Sequence, residues 1–164
     1  MDRTPKRKRR GFTLLELLIA AGLSVGMVLI TAQFWRYYSR QLEDLKARAH
    51  VAQELRIALG AIRRDMGPAV GATPVGADQV LLCIDGGPDP NGTAEWGAPD
   101  TLVTYSLVNG KLVRTDQASG VEIVLVDHVS GFTVEDITAS LLQMTVAIEK
   151  GGISRQMVLR WSRP

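Results

Sequence analysis

From Phe12 to Phe34 the chain runs 23 residues, and Glu16 is the only charged one among them. At about 1.5 Å per residue, a helix of that length matches a bilayer core of about 30 Å. Beyond Trp35 the pattern becomes amphipathic. Leu42, Leu45, Ala49, Ala52, Leu55, Leu59, Ile62 and Met66 recur every three or four residues, with Glu43, Arg48 and Arg56 among the charges between them. That period predicts a helix with one apolar stripe. No proline interrupts the stretch from Phe12 to Met66, and Gly67-Pro68 is a stop signal. The expectation is one nearly continuous helix over 12–66, roughly 80 Å long. Residues 12–35 would lie in lipid or in a filament core. Residues 36–66 would lay their stripe on a globular domain or, alternatively, enter a coiled coil.

Residues 67–99 differ in character, with Pro68, Pro74, Pro88, Pro90, Pro99 and many glycines. They read mostly as loop, interrupted by one short apolar strand over 80–84. Strand patterns then follow over 101–107 and 112–114, joined by Asn109-Gly110, the dipeptide of a type I′ hairpin turn. Further strands are predicted over 121–129 and 132–137, and over 140–149 and 153–161 flanking Gly151-Gly152. In the 140–149 segment Leu142, Met144, Val146 and Ile148 alternate with polar positions, so one face is buried and one is wet. The fold class expected is α+β: a long N-terminal helix packed on an antiparallel β-sheet domain, the stripe from Leu42 to Met66 covering the sheet. The divisions are a basic leader over 1–11, an apolar helix half over 12–35, an amphipathic half over 36–66, and a loop-rich, then β-rich, domain over 67–164.

Charge changes this picture at one end only. The chain holds 19 Lys plus Arg against 17 Asp plus Glu. Six of those bases and one acid (Asp2) fall in residues 1–11, so 13 bases and 16 acids remain beyond them, a net charge of −3. The basic pI therefore belongs to the leader and does not signal nucleic-acid binding. Positive residues stay on the cytoplasmic side, which places the N-terminus inside and everything beyond Phe34 outside. An ordinary secretory signal has a shorter apolar core and is cut after it. A lone acid in a membrane-length apolar run is costly, which marks Glu16 as functional by default.

The search for reactive chemistry is short. Cys83 is the single cysteine, so an intramolecular disulfide is excluded; within Val80-Leu81-Leu82-Cys83-Ile84 it reads as a buried small hydrophobe. His50 sits in the helix and His128 in a strand pattern, in no metal-ligand spacing. Gly22-Leu23-Ser24-Val25-Gly26 spells Gly-x-Ser-x-Gly, but it lies inside the unbroken apolar run and not at the strand-to-helix turn that a nucleophile elbow requires. Asp65, Asp85 and Asp127 read as solvated or capping acids. The loop over 85–99 resembles an oxygen-rich calcium loop only loosely, without the Asp-x-Asp-x-Asp spacing or terminal Glu of an EF-hand. Trp96 in that loop reads as a lid on the core or, alternatively, as a partner contact. Gly22-x-x-x-Gly26 is a small-xxx-small pattern that lets membrane helices approach. Arg36, Arg40, Lys46 and Arg48 suit lipid headgroups, neighbouring subunits or a solvated helix face. No enzyme activity and no cofactor are expected.

Arg9-Arg10-Gly11-Phe12-Thr13-Leu14-Leu15-Glu16, a basic leader followed by Gly, Phe, an acid and an apolar run, resembles the processing motif of type IV prepilins and type II secretion pseudopilins. The resemblance implies cleavage between Gly11 and Phe12 by a prepilin peptidase and methylation of the new Phe12 amino group. It implies single-pass insertion in the inner membrane with a periplasmic domain, and pairing of Glu16 with a neighbour's N-terminal ammonium during assembly with other pilins or pseudopilins. More faintly, the segment Leu59-Gly-Ala-Ile62-Arg63-Arg64-Asp65-Met66, the segment Val103-Thr-Tyr105-Ser-Leu107 with its Asn-Gly-Lys-Leu turn, and Val158-Leu159-Arg160 are similar to W-type minor pilins and J-type pseudopilins. A minor pilin that initiates or caps a type IV pilus is the first functional expectation. A J-type pseudopilin is second, and a DNA-uptake or adhesive pilin third. The net charge of −3 speaks against a nucleic-acid partner.

Overall fold

The computed structural model describes residues 13–86 and 90–162. The basic leader, Gly11, Phe12 and Asp89 lie outside the described residues. The chain forms two compact units, Met1–Glu43 and Asp44–Pro164. One helix, α1 (Leu14–Met66, 53 residues), supplies the described part of the first unit and enters the second. Its continuity follows from the absence of proline, and it ends where Gly67 N–H bonds the Arg63 carbonyl at 3.1 Å just before Pro68.

In the first unit the side chains of Leu14, Leu18, Leu23, Met27, Ile30 and Phe34 are all exposed. This part of α1 is long and apolar enough to cross a membrane by length and composition. Its polar hydroxyls turn back onto the helix: Ser24 Oγ donates to the Ala20 carbonyl and Thr31 Oγ1 to the Met27 carbonyl, each at 2.8 Å. Neither therefore asks a surrounding hydrocarbon for a partner.

The second unit holds eight strands: β1 (Ala69–Gly76), β2 (Gln79–Ile84), β3 (Thr101–Val108), β4 (Lys111–Asp116), β5 (Glu122–Val126), β6 (Val129–Thr138), β7 (Leu141–Lys150) and β8 (Ile153–Ser162). They form two antiparallel sheets, β1-β2-β3-β4-β5 and β6-β7-β8. The Asn109-Gly110 turn has positive φ at both residues (50° and 73°), the requirement of a type I′ hairpin. Gly151-Gly152 (60° and 75°) makes the same kind of turn. The central strand β7 buries Leu142, Met144, Val146 and Ile148 completely, as its alternation predicts. The two sheets are tied by backbone bonds from Val134 N–H to the Ala77 carbonyl (3.0 Å) and from Val129 N–H to the Gly110 carbonyl (2.9 Å). Val51, Leu55, Ala58, Leu59, Ile62 and Met66 of α1 join both sheets in one apolar cluster. The architecture is α+β, a long N-terminal helix packed on antiparallel sheets.

Four details differ from the sequence expectation. The buried stripe of α1 begins at Val51, whereas Leu42, Leu45, Ala49 and Ala52 are exposed. The true stripe includes two acids, Glu54 and Asp65, which an apolar pattern skips. The segment before Val80 is an additional strand, β1, hidden in sequence by its Gly, Ala and Pro content. It is an edge strand with register shifts at Ala69/Gly71 and Pro74/Gly76, which is where proline is tolerated. The strand expected over 121–129 breaks at Asp127-His128, and the chain leaves one sheet there for the other.

Candidate functional site

Thr13 and Glu16 begin α1 as a reciprocal cap. The Thr13 N–H and hydroxyl donate to Glu16 Oε2 at 2.9 and 3.0 Å, and the Glu16 N–H donates to Thr13 Oγ1 at 3.3 Å. This is the Ser/Thr-x-x-Glu capping box, worth about 1 kcal/mol to the helix start. The spacing stands in the sequence, but reading Glu16 only as an isolated membrane acid hides it. Both contacts made by the carboxylate use Oε2, and Glu16 stays exposed amid exposed leucines. Gly11 and Phe12, the two residues flanking the expected cut, lie outside the described residues.

A second polar constellation closes the far end of α1. Asp65 is buried rather than solvated, and its Oδ2 accepts from the Tyr105 hydroxyl at 2.7 Å and from Arg114 Nε at 2.6 Å. Arg64 Nε reaches Oδ1 at 3.4 Å. Tyr105 and Arg114 are cross-strand partners on β3 and β4, so the helix end is clipped to the middle of the first sheet. Burial alone would raise the Asp65 pKa; the donors Arg114 and Tyr105 outweigh it, and the net direction is down. Burial, and next the Asp65 carboxylate, push the Tyr105 phenol up. Asp65 and Tyr105 come from two of the three segments that carry the fainter family resemblance.

The loop between β2 and β3 orders itself through its acids. Asp100 accepts from Glu95 N–H (2.9 Å), Gly86 N–H (3.4 Å) and the Cys83 thiol (3.1 Å), and the Glu95 amide leads in lowering its pKa. Asp85 Oδ2 accepts from Gly92 N–H at 2.8 Å. These bonds turn both carboxylates onto donors of the loop and of β2, the work of a clasp, and leave Asp85 Oδ1 buried without a partner among the described residues. Cys83 is fully buried, and burial, then Asp100, raise its pKa; it is an inert interior thiol. Trp96 caps β1, its ring lying where a Gly71 side chain would stand. Asp127 is an exposed acid paired with Lys111 at 3.2 Å. His128 leaves the expected strand for the β5–β6 turn, where the fold brings it to His50.

Residues 6–32 match the family model described as the prokaryotic N-terminal methylation motif. Comparison with curated proteins and with solved structures finds no match for the chain. The motif implies processing by a prepilin peptidase and assembly with other pilins, and it points to a structural subunit rather than an enzyme. With the exposed apolar helix it fits a protein anchored in the inner membrane. The motif, the helix that continues it and the sheets packed on that helix support a type IV prepilin-like protein.

Proposed function

We propose that the protein is a minor pilin, a processed subunit that initiates or caps a type IV pilus. Its leader stays in the cytoplasm and its domain faces the periplasm. Prepilin peptidase cuts between Gly11 and Phe12 and methylates the Phe12 amine. The observation that carries the reading is the position of Glu16, an exposed carboxylate in an apolar helix that directly continues the methylation motif. Beside a neighbouring subunit, that carboxylate meets the neighbour's N-terminal ammonium in low dielectric. Removing one partner of such a pair leaves an uncompensated charge, at a cost of about 3–5 kcal/mol. The pairing favours the filament over a single subunit in lipid. A J-type pseudopilin of a type II secretion complex uses the same physics, and the pilins or pseudopilins that co-purify decide between the two. The lone buried Cys83 rules out an intramolecular disulfide, which sets the chain apart from bulk-forming pilins closed by a C-terminal disulfide.

The test separates charge from cap. Glu16→Gln keeps a side chain able to complete a capping box and removes the charge. It should insert in the membrane normally yet fail to co-purify with other pilins, as should Glu16→Ala. Wild-type incorporation of the Gln variant would leave Glu16 a helix cap and no more. Gly11→Leu should stay uncut, and a mass spectrum of that variant starting at Phe12 would refute the assigned processing.

A further inference from the structure

His50 and Glu54 stand one turn apart on α1, and His128 approaches them from the β5–β6 turn. Glu54 Oε1 lies 2.9 Å from His50 Nε2 and 3.4 Å from His128 Nδ1. One potential ligand atom from each residue falls within 4.8 Å of the other two. Glu54 itself is only 8% exposed, and its second oxygen, Oε2, is buried with no hydrogen-bond partner among the described residues. A buried carboxylate with one oxygen unused calls for a positive charge beside it.

We infer that His50, Glu54 and His128 bind one divalent transition-metal ion of the zinc class. Two imidazole nitrogens and a carboxylate oxygen form a zinc donor set, whereas calcium and magnesium take oxygen ligands. Metal–ligand bonds of about 2.1 Å in a tetrahedron set the ligand atoms about 3.4 Å apart. Two edges of the triad, 2.9 and 3.4 Å, lie near that value, and the third, between the two histidine nitrogens, is within 4.8 Å and closes by rotation of the half-exposed imidazoles. The imidazoles are 41% and 43% exposed, so the site opens to solvent for entry of the ion and for a water as fourth ligand. The third ligand is held from both sides. His128 has φ of 61°, its carbonyl accepts from Glu149 N–H at 3.0 Å, and the next residue, Val129, donates to Gly110 at 2.9 Å. Bound there, the ion cross-links α1 to the turn at which the chain passes from the first sheet to the second.

The mature full-length chain, carrying a histidine-free tag, is purified in detergent, stripped with a chelator and titrated with zinc chloride. Calorimetry should show one saturable site per chain, and the melting temperature should rise with zinc concentration, because the ion binds the folded state. His50→Ala and His128→Ala should each weaken zinc binding by at least about tenfold. Glu54→Gln should do the same; if that buried change unfolds the domain, the two exposed histidines decide. Absence of saturable binding overturns the site. Unchanged affinity in both histidine variants overturns it equally, since the ion then sits elsewhere. Equal stabilisation by calcium or magnesium would contradict the assigned donor set.

Discussion

Asp65 keeps its charge in the interior because Arg114 and Tyr105 converge on a single oxygen. Tyr105→Phe should destabilise the domain by about 1.5–3 kcal/mol, the range for a hydrogen bond to a charged group. Asp65→Asn should cost about 3 kcal/mol, because it leaves the mostly buried Arg114 guanidinium without its counter-charge. The pH dependence has a definite sign. The folded pKa of Asp65 lies below its unfolded value of about 3.9, so its stabilisation is complete above about pH 4 and is lost as pH falls through the folded value. Asp65→Asn should therefore flatten the stability loss below about pH 4, and an acid-unfolding curve parallel to that of the wild type would refute the assignment. None of this pairing is visible along the chain, since the partners are 40 and 49 positions away. The Thr13–Glu16 cap, three residues apart, is written locally and can be read. His50, Glu54 and His128 divide the same way: the pair on one helix turn shows in the sequence, while the third member needs the β5–β6 turn to deliver it.

Elements whose pattern is set by burial of one face were legible; the element made by close approach was not. β7 alternates strictly and buries what its period predicts. β1 lacks that signature because Gly71 gives its side-chain space to the loop between β2 and β3. A Cβ there would stand 2.9 Å from Ala94 Cβ and 3.0 Å from Trp96 Cζ2. Gly71→Ala should force the Trp96 loop outward at a cost of about 1–3 kcal/mol. Gly131 in β6 is the control, since a Cβ there meets Ala147 Cβ at an ordinary 3.8 Å, so Gly131→Ala should be nearly neutral. Urea midpoints of the two variants check the contrast, and equal midpoints would mean that Trp96 does not pack on β1. The exposed Leu42 and Leu45 teach the converse lesson. A helical period states which residues share a face, and the extent of the covering sheets decides how much of that face is buried.

At the scale of the whole chain, the two units divide the labour between anchoring and folding. Among the described residues, every member of the apolar core cluster lies at Val51 or beyond, and the first unit contributes none of them. The exposed leucines and isoleucines of 14–30 therefore add nothing to the stability of the sheets in water. The helical stretch left in the second unit owes its structure to its packed face, since most helical stability in proteins is tertiary. A chain starting at Asp44 should consequently be soluble without detergent. It should melt in one cooperative transition within a few degrees of the full-length protein, as loss of exposed surface contacts changes stability by only about 0.5 kcal/mol. Circular dichroism on both chains makes the comparison. A truncated chain that shows sheet signal but no cooperative melt would mean that the core continues into the apolar half of the helix, and that anchoring and folding are one function of α1 rather than two.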